Sequence, residues 1–426
     1  MEMTARSRKH FAWITVGTAL ILALAAVQNA GDWHHGVIPI PHLAAMSPFV
    51  RNWLLTLLFP SLPIVALVQW LLPQIKQRSR QLRGFTVSCL LGLVVGIVTE
   101  ALGATVLDLL ILGGALRLAG SVIQLAAAAI YVAGVWRALT RSLHMSVADT
   151  LFRAGALWLF AACILHFSYI LAAAMDIHLE FLQRASFCVD ISLLMGFGLN
   201  SVLGIFTVFM PHFLQMQSPD PRSINVIITF NVILAAWVGG AAWSLQYPYT
   251  WVRLLLSVVS LAVGGGMLHL VFRLRANEWV SATPDNTRQL IAKIALLVVS
   301  ISAVSAAVVI MGFGLWLGAT DAVGAENVEA VANRLLLIGV GSFGLLGIFV
   351  GLLGPFAGRR AVAWMAYAAM LALALGLLTR TLTALGAPLT SYQFTHENLF
   401  GQIALGTGHA IFALWLLSST HFKRTT

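Results

Sequence analysis

The sequence predicts an all-α polytopic membrane protein, and three observations carry that prediction. Hydrophobic residues make up 59% of the 426-residue chain and charged residues only 9%, against about 25% charged in an ordinary soluble domain. The mean hydropathy is +0.90. Apolar runs of about 20 residues, the length a bilayer core demands, recur from one end to the other.

In chain order the runs cover 10–28, 52–73, 84–104, 117–137, 151–174, 185–213, 224–245, 252–272, 291–318, 333–354, 362–382 and 400–419, which reads as twelve spans in a single membrane domain. The first run, Phe11–Val27, follows Arg6, Arg8 and Lys9. No small-residue cleavage site follows it, so it reads as a retained signal anchor. With the N-terminus in the cytoplasm, Arg78, Arg80, Arg83, Arg273, Arg275, Arg359, Arg360, Lys423 and Arg424 all fall inside, and an even number of spans returns the C-terminus to the same side. Of the 25 Lys and Arg, only Arg51, Arg117, Arg184, Arg253, Arg334 and Arg380 then fall outside, as the positive-inside bias requires. The net charge of +10 is thus a topology signal in short loops, and a nucleic-acid partner is excluded. Cys89, Cys163 and Cys188 sit in apolar segments without CxxC or CxxCH spacing, so neither a disulfide framework nor haem attachment is expected. P-loop, GxSxG and HExxH motifs are absent too.

A repeat runs under the hydropathy. "RLAGSVIQLA" from Arg117 matches "RLLLSVVSLA" from Arg253, and each is followed by a second Arg, Arg137 and Arg273. "LGIFTVFMPHF" from Leu203 matches "LGIFVGLLGPF" from Leu346, each between an outer Arg (Arg184, Arg334) and an inner Pro (Pro211, Pro355). Both matches step by four spans, which predicts three parallel four-helix units of about 1–140, 141–280 and 281–426.

Three histidines lie within spans. His166 and His409 each sit about 13–15 Å below the outer surface at 1.5 Å per residue, while His269 falls near the cytoplasmic face. Paired at one depth, His166 and His409 suit either haem ligation or polar helix–helix contacts. The small residues Ala161, Ala162, Gly406 and Gly408 beside them allow close approach of a large ring. Five of the outer arginines begin even-numbered spans, where a cation opposes the helix dipole. Such a crown suits an anionic partner such as a haem propionate, or pairing with loop carboxylates or lipid phosphate. Met210, His212 and Met216 offer soft ligands for Cu(I). "DWHHGVIPIPH" in the first outer loop offers His34, His35 and His42 to a metal, or a lid anchored by Trp33. Glu100, near the outer end of the third span, suits a proton path or the surface.

Three stretches carry a resemblance: "LRLAGSVIQLAAAAIYVAGVWRAL" (116–139), "GFGLNSVLGIFTVFMPHF" (196–213) and "NRLLLIGVGSFGLLGIFVGLLGPFAGRR" (333–360), the last followed by "AYAAMLALALGLLTRT" (366–381). The chain resembles the NnrS family within the haem-copper oxidase subunit I superfamily. The resemblance implies twelve helices in three arcs, a bacterial inner-membrane location, haem b and copper as cofactors, a role in nitric-oxide or respiratory stress, and partners of that metabolism. The superfamily's metal-ligand histidines on helices 2, 7 and 10 are missing, and helix 6 carries only His212 at its end. Terminal oxidase activity is therefore not expected. A transporter of a small anionic solute, or a cofactor-free subunit of a respiratory complex, are the other expectations.

Overall fold

The computed structural model describes residues 5–31, 53–54, 56–75, 83–105, 110–139, 146–175, 188–213, 219–244, 250–274, 287–319, 331–353, 361–386 and 393–419. Among these, helix is the only regular structure. The helices are α1 (Ala5–Gly31), α2 (Leu62–Ile75), α3 (Arg83–Thr105), α4 (Leu110–Leu139), α5 (Val147–Ala174), α6 (Asn200–Phe213), α7 (Ser223–Ser244), α8 (Thr250–Arg273), α9 (Thr287–Ala319), α10 (Phe343–Leu353), α11 (Ala361–Gly386) and α12 (Gln393–Ser419). Two of them continue a π-helical segment, Ser192–Leu199 before α6 and Leu335–Ser342 before α10, and α2 follows a kinked segment, Leu57–Ser61.

Ten helices among the described residues are long and apolar enough to cross a membrane, and two shorter apolar helices cover His10–Ala26 and Leu57–Leu72. Their outer faces fit lipid. On α3, Val87, Leu91, Val94, Val98 and Leu102 are all exposed and form one stripe at helical spacing, an apolar surface a soluble monomer does not present.

The packing has an inner and an outer layer. The spans Cys188–Phe209 and Val331–Leu352 are 94% and 89% buried, while the other spans are 28–56% buried. The kinked segment Leu57–Ser61 and the two π-helical segments touch one another pairwise at the centre. Around them α3, α4 and α5 pack in succession, as do α7, α8 and α9, and α11, α12 and α1. The centre is close-packed: a Cβ on Gly341 would stand 2.7 Å from Pro60 Cγ, and one on Gly344 2.8 Å from Val202 Cγ1. Phe59, ahead of Pro60, takes extended angles (φ −136°, ψ 123°), as a residue before proline prefers. α5 begins with a capping box, in which the Ser146 side chain accepts from Asp149 N at 3.1 Å and the Asp149 carboxylate accepts from Ser146 N.

Candidate functional site: a buried carboxyl–imidazole pair

Glycines position the site. Gly92, Gly96 and Gly103 of α3 face α4, and Gly120 of α4 faces α3. A Cβ on Gly120 would stand 2.7 Å from Glu100 N, and one on Gly96 would stand 2.9 Å from Gly120 O. The two helices therefore meet backbone to backbone, as small residues permit in a bilayer. That contact brings Glu100 of α3 beside Gln124 of α4.

The four side chains form one network. Gln124 Nε2 donates to Glu100 Oε2 at 2.7 Å. Trp53 Nε1 donates to Gln124 Oε1 at 2.8 Å. His166 Nε2 lies 2.8 Å from Glu100 Oε1. The His166 ring then stacks on the Trp53 indole, with centroids 4.2 Å apart and planes at 14°. Glu100 and Gln124 are fully buried, and His166 and Trp53 are 1% exposed.

The donor inventory fixes the orientations. An indole N–H only donates, so Gln124 must turn its oxygen to Trp53 and its amide N–H toward Glu100. Glu100 Oε2 is thereby held as an acceptor. The 2.8 Å separation of Oε1 and Nε2 is that of a hydrogen bond. A lone carboxylate at this depth would cost several kcal/mol. Either a carboxylate–imidazolium pair or a carboxylic acid beside a neutral imidazole removes that net charge. One proton moved along the 2.8 Å contact interconverts them.

His409 occupies a different place. Its Nε2 lies 3.2 Å from Ser342 Oγ, at the end of a π-helical segment. Its ring meets Phe59 edge-on at 5.2 Å, and it is 3% exposed. A haem held between His166 and His409 would be ligated through imidazole nitrogens whose ring edges face the iron. In both histidines Nε2 is engaged by another protein side chain within packed surroundings. A haem bridged through these two Nε2 atoms would have to displace Glu100 from one and Ser342 from the other.

Of the outer arginines, Arg117 has a buried Nε with no hydrogen-bond partner among the described residues. Arg334 Nη1 donates to the Arg380 carbonyl at 2.8 Å. Arg51 and Arg184 lie outside the described residues, as does the side chain of Arg253. His34, His35 and His42 lie outside them too, and so do Met216 and the side chains of Met210 and His212. His269 is exposed on α8. Among the described residues no three His, Cys, Asp or Glu come together as a metal site.

Glu100 and His166 were legible in the sequence as ionisable groups inside spans. Trp53 and Gln124 were not singled out, although Gln124 is the one side-chain amide in an otherwise apolar stretch of α4. Compared with known proteins, the chain matches no family model and no curated protein.

Proposed function

We propose that this is a multi-pass membrane protein whose working centre is the Glu100–His166 pair, a buried site that takes up and releases a proton as part of the protein's cycle. The observation that carries the reading is a fully buried glutamate 2.8 Å from a buried histidine, with its second oxygen held by Gln124. Ionisable groups inside the membrane are costly and mark proton and substrate pathways. The pair works by charge: without the proton it carries a negative charge, and with it the site is neutral.

The scaffold belongs to the same proposal: twelve spans, both termini in the cytoplasm of a bacterial inner membrane, and three four-helix units. The period-four packing of α3–α5, α7–α9 and α11–α1 around three central helices supports it. So does the resemblance to the NnrS family, which brings the proposed setting of nitric-oxide or respiratory stress. The proposed chemistry runs through the carboxyl–imidazole pair and needs no haem between the two histidines. Infrared difference spectra between acid and alkaline buffer test it: they carry a carboxyl signal that Glu100→Gln removes. Spectra without that signal would refute the reading.

A second reading, proton-coupled transport of a small anion, is favoured by Arg334. Its guanidinium lies against the Arg380 backbone with no acidic partner among the described residues. Anion uptake into liposomes that is abolished in Arg334→Gln would support it. Uptake unchanged in that variant would remove it.

A further inference from the structure

The Glu100–His166 pair is sealed from solvent, so a proton needs a route to it. Several polar groups lie on one side of the pair. Cys163 stands three residues before His166 on α5, Tyr131 seven after Gln124 on α4, and Cys89 eleven before Glu100 on α3. α4 runs antiparallel to α3 and α5. All three residues are therefore displaced toward the same face of the membrane, by about 4.5, 10 and 16 Å at 1.5 Å per residue. Cys163 lies within electrostatic range of both Glu100 and Cys89, and Tyr131 within range of Cys89. From α2, the Gln69 side chain comes near the Cys89 thiol.

Two atoms in this group have unmet needs. Tyr131 is fully buried, and its Oη has no hydrogen-bond partner among the described residues. Gln69 Oε1 is likewise buried and without a partner among the described residues. Each such group costs about 1–3 kcal/mol in a dry core, and each calls for an explanation. Both flank one thiol. The edge of Phe197 meets the Tyr131 ring at 6.2 Å and 82°. Buried water meets such needs with two to four hydrogen bonds.

We propose that Gln69, Cys89, Tyr131 and Cys163 line a file of ordered water that carries protons to Glu100–His166 from the side of the membrane where α3 begins. The proposal rests on the proton-binding reading of that pair. Each hop breaks one O–H bond and forms another, and nothing is oxidised or reduced. The titratable groups facing the file are Cys89 of α3, Tyr131 of α4, Cys163 of α5 and the pair itself; α2 contributes Gln69 alone among its described residues. The thiols wall the file and report on it.

The test is thiol hydrogen–deuterium exchange in the full chain, reconstituted in liposomes and read from the infrared S–H band. Single Cys→Ala variants assign each thiol. Cys188, which is buried and whose thiol donates to Val238 O of α7 at 3.7 Å, is the reference outside the file. Cys89 and Cys163 exchange well ahead of Cys188 if the file is wet. Tyr131→Phe then slows Cys163 exchange by about tenfold or more, the effect of about 1.4 kcal/mol on a barrier. Gln69→Leu is the second variant should Tyr131→Phe fold poorly, and it has the same expected effect. One common rate for all three thiols would overturn the file. So would a Tyr131→Phe protein that melts higher with exchange unchanged, the behaviour of an orphan hydroxyl in a dry core. If Glu100 titrates while Cys89 and Cys163 stay unexchanged, only the route fails. If the thiols exchange and Glu100 never titrates, the pair fails and the file stands.

Discussion

Trp53 has the simplest task in the site and the widest consequence. Its indole N–H sets the amide of Gln124, the amide sets which oxygen of Glu100 accepts, and that leaves the other oxygen to His166. Trp53→Phe keeps an aromatic face for His166 but leaves Gln124 Oε1 without its donor. The expected loss is about 0.6–2 kcal/mol, the range for side-chain hydrogen bonds between membrane helices, read as a lower melting temperature in detergent. The carboxyl signal of Glu100 should also broaden or shift as Gln124 gains freedom to turn. An unchanged signal would mean that the amide is held by something other than Trp53. At this scale the sequence revealed which residues carry charge at membrane depth. It did not reveal their partners. Which of two oxygens faces which neighbour depends on helix rotation, and an apolar helix without a polar face leaves rotation unmarked in the sequence.

At the scale of elements, glycines set the register of α3 against α4. Gly120→Ala would push a methyl into the backbone of Glu100. Overpacking of this kind costs about 1–3 kcal/mol. Moving α4 away by even an ångström also breaks the 2.7 Å bond from Gln124 to Glu100. The expected result is a lower melting temperature together with an altered Glu100 signal. Gly265→Ala, with open space around its Cβ position, is the control that should change neither. Equal behaviour of the two variants would refute the packing argument. Apolar runs predicted where these elements lie. The π-helical segments were beyond reach, since Ser192–Leu199 and Leu335–Ser342 are almost uniformly apolar, and a change from α to π winding leaves no period in such a run. Repeated motifs do leave a local trace. Gln124 and Ser260 hold matching positions in the two "RL" stretches, and each accepts from a tryptophan N–H: Gln124 from Trp53 at 2.8 Å, Ser260 from Trp237 at 2.8 Å.

For the whole molecule, composition was the most informative signal. A chain with 9% charged residues has too few to coat its exterior in water, and the exposed stripe on α3 is the structural form of that shortage. The same shortage makes each buried ionisable group conspicuous. An inner layer this tightly packed offers few places for a polar side chain, and the Glu100 network lies where the α2–α5 segments converge. The central claim, that this network exists to bind a proton, meets its most direct test in infrared difference spectroscopy of the reconstituted protein across an acid-to-alkaline titration. The account predicts one carboxyl signal that appears and disappears with pH, is perturbed in His166→Gln, and is absent in Glu100→Gln. A Glu100 that keeps one protonation state throughout the titration would contradict it and reduce the network to packing.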